Sequence, residues 1–238
     1  PSEPRINDAL KDVTEDFAFL FVGHWLKGDF LQDRKNVSGL IWTFLNQFKN
    51  KNKPPALILK TSTGSTSLVD RVHIKQQIEH IKNHVRKETG AKKLPNIYLL
   101  HSDLTDAEMN ALYNHPKVKA HTSFTRGGKL ENVHKSAADN FLLKEGQWFS
   151  IDYSAAGAQM EGVFKNYKKH FELSRKHRKF TKDNFSFDKM VELMGTLIDE
   201  TKVASKPQTV GLQLPKLKKV GSTTEAPKLT LPTLKRAK

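Results

Sequence analysis

Continuous apolar runs alternate with helical stripes along the first half of the chain. FAFLFV (17–22) is bounded by Asp16 and Gly23, the pattern of a strand buried on both faces. Val37, Leu40, Ile41, Phe44, Leu45 and Phe48 then recur at helical spacing. ALILK (56–60), behind Pro54 and Pro55, predicts a second strand. Ile74, Ile78, Ile81 and Val85 predict a second helix with Asp70 near its start. NIYLL (96–100) follows Pro95 as a third strand. Thr105-Asp106-Ala107-Glu108 is a capping box opening a short helix through Tyr113. VKAHTSF (118–124), after Pro116, is a fourth strand. This β-α-β-α-β-α-β order predicts an α/β fold, a Rossmann-like parallel sheet with helices on both faces.

The second half reads differently. Residues 129–136 are polar and aperiodic, and QWFSID (147–152) predicts one more short strand. Met160, Val163, Phe164, Tyr167 and Phe171 mark a long helix entered at Ser154. Phe187, Met190, Val191, Met194, Leu197 and Ile198 mark another, with Ser186 as its N-cap. Between them RKHRKFTKD (175–183) reads as a basic connector. Beyond Thr201 the periodicity stops, and four prolines, many lysines and no aromatic residue predict a disordered tail. The domain reading is therefore an N-terminal extension (1–16), an α/β domain (17–201) and a basic tail (202–238).

Charge sharpens that division. The chain carries a net +15, of which nine Lys or Arg against Glu225 put +8 into residues 202–238, leaving 15 − 8 = +7 for the rest. A basic body suits phosphate-bearing ligands, and a basic tail suits a polyanion such as nucleic acid or an acidic protein partner. The tail repeats one phrase, LQLPKLKK (212–219) and LTLPTLKR (229–236). Two readings of it stay open: a solubilising tail, or a bivalent motif that adds to a partner's sheet edge. No cysteine is present, so disulfide, thiolate and cysteine–zinc chemistry are excluded. No apolar run is long enough to span a membrane and PSEPRINDALKDV has no signal-peptide pattern, so a cytoplasmic setting is expected.

Ligands of such sheets sit beyond the carboxyl ends of the strands. There the sequence places Val22-Gly23-His24, then Leu59-Lys60-Thr61-Ser62, then Leu100-His101-Ser102-Asp103, then Thr125-Arg126-Gly127. Gly23 permits close backbone approach. Arg34 and Lys35 stand at the mouth of the first helix, whose free amides would suit a diphosphate. Asp29 and Asp33 in the same loop read as turn formers or caps. The ten histidines show no metal-ligand grouping, so no metal is predicted. No Walker loop, G-x-S-x-G elbow or G-x-G-x-x-G fingerprint occurs.

FLFVGHWLKGD, DRKNV, ALILKTS, PNIYLLHSDLTDAEMNALYNHPKV and SFTRG, in that order, resemble the C-terminal nucleotide-sugar-binding domain of GT-B glycosyltransferases. The group resembled is the large group-1 (family 4) set, including members from tailed-phage genomes. The likeness covers 17–127 and resumes in GQWFSID and FSFDKMVELMGTLIDE. It implies a nucleotide-diphosphate sugar as donor and no tightly bound cofactor. By this resemblance Lys35, with Arg34, holds the donor diphosphate, and Lys60 lies near the phosphates. Gly23 matches the glycine after the first strand, and His24 stands where family members place the arginine that holds the donor diphosphate. His101, Ser102 and Asp103 receive the nucleobase, and Thr125, Arg126 and Gly127 begin the donor-sugar loop.

Family members continue that last phrase as E-G-F-G-L-P and a helix bearing a second glutamate. This chain runs instead from Gly127-Gly128 into KLENVHKSAADN, and Glu131 fits neither glutamate position. The resemblance thus implies the loss of one strand-helix unit, on the order of 30 residues, and the absence of the acceptor-binding domain. Two functions follow. One is transfer of a hexosyl group from a nucleotide-diphosphate sugar, reduced or lost in this chain alone, with another chain supplying the acceptor domain. The other is a non-catalytic binding or structural module that docks through its basic tail.

Overall fold

The computed structural model describes residues 2–122, 128–139 and 142–204. The chain divides into two compact units, Pro1–Lys179 and Phe180–Lys238.

The first unit is α/β. β1 (Ala18–Val22), β2 (Ala56–Lys60), β3 (Ile97–Leu100) and β4 (Val118–His121) form a parallel sheet in the order β3-β2-β1-β4. β1 lies centrally, with Ala18 opposite Ala56 on one side and Val118 on the other. That order is the one in which a doubly wound sheet starts outward in one direction and then reverses, placing its switch point between β1 and β4.

The helices cover both faces because the strands are apolar on both. Phe17, Phe19, Phe21, Leu57 and Leu59 pack on α2 (Val37–Phe48), α3 (Leu68–Thr89) and α5 (Tyr153–Lys165). The alternating Ala18, Leu20, Ala56 and Ile58 pack on α1 (Pro4–Ala9) and α4 (Asp106–Tyr113). Phe19, Phe44 and Phe48 are fully buried with ring centroids 5.3–6.2 Å apart, each burial worth about 1.5–3 kcal/mol. α2 and α5 cross closely: a Cβ on Gly39 would lie 2.5 Å from the Tyr153 ring, and one on Gly157 2.8 Å from Gln47 Oε1.

Several elements depart from the sequence expectation. Residues 1–16 are more than an extension, since Ile6, Leu10 and Val13 are buried in the second core and Arg5 Nη1 donates to Glu108 Oε1 at 3.0 Å. The polar stretch after Gly127 contains β5 (Gly128–Asn132), antiparallel to β6 (Gln147–Ile151). The long helix predicted from Ser154 is broken at Asn166, whose amide and side chain both donate to the Gly162 carbonyl, separating α5 from α6 (Tyr167–Phe185). RKHRKFTKD is not a connector but part of α6, which suits a run without Gly or Pro that is rich in Lys and Arg.

The second unit contains the end of α6 and α7 (Phe187–Ala204). Ser186 alone separates them; its Oγ accepts from the Lys189 amide and its carbonyl from the Met190 amide. The tail expected to be disordered lies, from residue 205 on, outside the described residues.

Candidate ligand-binding rim at the strand ends

The β1–β2 ladder continues past the strands. The Gly23 amide donates to the Lys60 carbonyl at 3.1 Å, and the Trp25 amide to the Ser62 carbonyl at 2.9 Å. Trp25 is thereby drawn into the core, while His24 between them points outward, exposed, with Nδ1 3.0 Å from Ser62 Oγ. Ser62 and Thr61 are buried, and Thr61 Oγ1 has no hydrogen-bond partner among the described residues. Lys60 ends β2 half-buried and, among the described residues, has no carboxylate partner.

Asp70 organises the next part of the rim. It sits in the first turn of α3, its amide held by the N-cap hydroxyl of Ser67. Its carboxylate accepts from the Thr63 amide at 3.0 Å, from the Thr63 hydroxyl, and contacts His101 Nε2 at 2.8 Å. The His101 and Asp70 side chains are 1% and 5% exposed. Burial pushes the Asp70 carboxyl up, but the hydrogen bonds from His101 and Thr63 outweigh it and leave it below its ordinary value. Thr66 Oγ1 donates to Asp103 Oδ2 at 2.9 Å, and Arg5 Nη2 to Ser102 Oγ at 2.6 Å. The loops after β2 and β3 are thus tied together at two points. The His101 ring is spent on that tie, while Ser102 is half-buried and Asp103 exposed.

The start of α2 differs from the sequence expectation. Asp33, itself buried, accepts from the amides of Val37 at 2.6 Å and Ser38 at 3.1 Å, and from Ser38 Oγ at 2.5 Å. These amides, offered by the sequence to a diphosphate, are already held by an internal carboxylate. A second anion there would meet like charge at close range. Arg34 and Lys35 flank this cap and are exposed, with no carboxylate partner among the described residues. Asp33 is a cap, as read from the sequence.

Arg34 also lines a cleft of about 330 Å³ with Lys129, Glu131, Trp148, Phe149 and Tyr153. Gly23, His24 and Lys60 are not among its lining residues. Burial raises the Tyr153 phenol, partly offset by its hydrogen bond to Asn36 Oδ1 at 3.1 Å. The loop after β1 is clasped from the other side: Lys27 Nζ donates to the Ala138 carbonyl and the Asp29 amide to Ser136 Oγ.

The structure therefore gathers Gly23, His24 and Lys60 with Ser62, and His101 with Asp70 and Thr63. Thr125, Arg126 and Gly127 lie outside the described residues; the strand before them ends at His121, and Thr122 next to it donates its amide and hydroxyl to the Leu20 carbonyl. The sequence places Asp70 only near a helix start and Ser62 only at a strand end, and gives neither a role at the rim, although Ser67-x-x-Asp70 is a legible cap signal. Among the described residues no group of three or more His, Asp or Glu is placed to hold a metal ion, and no helix is long and apolar enough to cross a membrane.

The fold and rim define an α/β protein built on a parallel sheet with polar and basic residues at its strand ends. Comparison with protein-family models, curated proteins and solved structures found no match.

Proposed function

We propose that the first unit is a GT-B-type donor half that binds the nucleotide-diphosphate part of a nucleotide sugar at the carboxyl ends of β1, β2 and β3. The observation that carries this reading is the half-buried Lys60 beside Gly23 and His24, without a carboxylate partner among the described residues, at the edge of a rim stiffened by Asp70. An ammonium held at the end of a buried strand reaches an anion with little loss of side-chain freedom. Lys60 and His24 face the diphosphate, and the loop at 101–103 faces the base. Arg34 and Lys35 contribute long-range charge, because Asp33 occupies the α2 amides. Binding without efficient transfer is the consequence, since Glu131, the acid nearest the end of the donor-sugar phrase, fits neither of the family's glutamate positions in the sequence. Where transfer of a hexosyl group does occur, a second chain supplies the acceptor site.

Calorimetry with UDP-, GDP- and ADP-sugars tests this. Lys60→Ala is expected to weaken binding about tenfold, about 1.4 kcal/mol, and Lys35→Ala less than about twofold, as befits a screened surface charge. Absence of binding by the parent chain at millimolar ligand sinks the proposal.

The +8 charge of residues 202–238 favours a second reading, docking of the tail to a polyanion. Deleting those residues then lowers nucleic-acid affinity and flattens its salt dependence. An unchanged slope refutes it.

A further inference from the structure

The cleft that Arg34 lines is walled by the loop before α2 and by the β5–β6 hairpin. Alternation along antiparallel strands puts Lys129, Glu131, Trp148 and Ser150 on one hairpin face, since Lys129 pairs with Ser150 and Glu131 with Trp148. Across from it, the loop turns twice through the left-handed region at residues other than glycine, Leu31 (φ 67°) and Asn36 (φ 52°). Such a backbone persists only where its surroundings hold it, and it recurs at binding sites. Here the Leu31 amide donates to Ser38 Oγ at 2.9 Å, the Asn36 amide to the Asp33 carbonyl at 2.8 Å, and Tyr153 Oη to Asn36 Oδ1 at 3.1 Å. Arg34 is thus carried between two fixed turns.

Hydrogen bonding sorts the groups that line the cleft. Lys129 Nζ lies 2.8 Å from Glu131 Oε1, and the Asp33 carboxylate is taken by the α2 amides. The Arg34 guanidinium, the Gln32 side-chain amide and the Trp148 indole N–H are left over, without a partner among the described residues. The half-buried Trp148 ring also packs on no described aromatic side chain. A tryptophan withdrawn from water usually finds a partner for its N–H. The unspent chemistry is one planar cation, a set of hydrogen-bond donors and an aromatic face. One guanidinium matches one carboxylate, which its fork grips through two parallel hydrogen bonds. A phosphoryl group would instead bring close to two charges beside Asp33 and Glu131. The volume of about 330 Å³ stands at the small end of ligand clefts and suits a single ring rather than a nucleotide sugar.

We infer that this cleft binds a small aromatic carboxylate, its ring against Trp148 and its carboxylate in the fork of Arg34. The site is separate from the nucleotide rim, since Gly23, His24 and Lys60 do not line it, and it stands whether or not that rim binds a nucleotide. Benzoate is the probe. The full chain has three tryptophans, so the indole region of a nitrogen–proton correlation spectrum carries three signals, and Trp148→Phe assigns one. Benzoate should move that signal saturably, with a Kd of about 1 mM for so small a ligand, and leave the signal of the buried Trp25 in place. Benzamide, neutral and of the same shape, and acetate, which lacks the ring, should each bind about tenfold more weakly. Arg34→Gln should weaken benzoate about tenfold, and Arg34→Lys, which keeps the charge without the fork, severalfold. Arg34 is exposed, and unchanged signals elsewhere in the spectrum exclude misfolding of either variant. Leu130→Ala, on the opposite face of the hairpin, should leave benzoate affinity as it is. No saturable shift at about 10 mM benzoate overturns the inference, as does undiminished binding by Arg34→Gln. Displacement of benzoate by a UDP-sugar also overturns it, by making the cleft part of the nucleotide site.

Discussion

α2 and α7 carry nearly the same apolar pattern, at offsets 0, 3, 4, 7, 8 and 11 from Val37 and 0, 3, 4, 7, 10 and 11 from Phe187. Their fates are opposite. The α2 stripe is fully buried against β1 and β2, whereas the α7 stripe is exposed throughout. Periodicity states that a helix has an apolar face; it does not state what will meet that face. For α2 the answer is in the same unit, because two parallel strands with Phe19, Phe21, Leu57 and Leu59 present a matching wall. For α7 no described residue answers it.

Breaking that comparison begins with the core. Phe44→Ala should destabilise the first unit by about 3–5 kcal/mol, by loss of burial and the cavity left among Phe19 and Phe48. The corresponding Met194→Ala, at a side chain about half exposed, should cost under about 0.5 kcal/mol. Urea unfolding at two protein concentrations, followed by tryptophan fluorescence and far-ultraviolet dichroism, measures both. Equal losses would erase the distinction between the two helices.

A smaller effect is expected at the rim. Asp70→Ala strands His101 and Thr63 in a buried site and should cost about 2–3 kcal/mol. Its acid dependence has a definite sign. The folded carboxyl is held below its ordinary value, so its contribution is complete above the unfolded value near 4 and is lost as pH falls through the folded one. The deficit of the variant should therefore shrink below about pH 4. A deficit that stays constant to pH 2 would show that Asp70 acts without its charge.

The smallest effect lies on the surface. Lys51 Nζ at 2.6 Å and Lys165 Nζ at 2.9 Å hold Glu161 at about 2, against 4.5 for the free group. This too is stability present above the unfolded value and lost as pH falls toward 2. Glu161→Gln should lower the melting temperature slightly at neutral pH, as loss of a partly exposed pair does, and flatten the acid limb so that the two profiles converge toward pH 2. A large loss at neutral pH would instead make the Lys51–Glu161–Lys165 group a main tie between α5 and the segment that follows α2.

Much of this was legible in the sequence for a definite reason. A strand buried on both faces shows as an unbroken apolar run, and Thr105-x-x-Glu108 announces a cap that the structure forms in full. β5 was not legible, because GKLEN pairs only with β6 and is mostly exposed, so no alternation is imposed on it. Residues 175–183 hid a helix behind their charge. At the rim, Gly23, His24 and Lys60 were legible as strand ends. The Asp70–His101 contact was not, since its partners are 31 residues apart.

The sequence by itself determined that the chain makes a parallel α/β unit, where its strands end, and that α7 has an apolar face. Those properties follow from local periodicity and from the short range of backbone capping. Tertiary structure alone decided which anionic groups the polar ends already satisfy: Asp33 takes the α2 amides, Asp70 takes His101, and Lys60 is left without a carboxylate among the described residues. A charge's availability depends on which opposite charge the folded chain brings within a few ångströms, and no one-dimensional pattern records that distance.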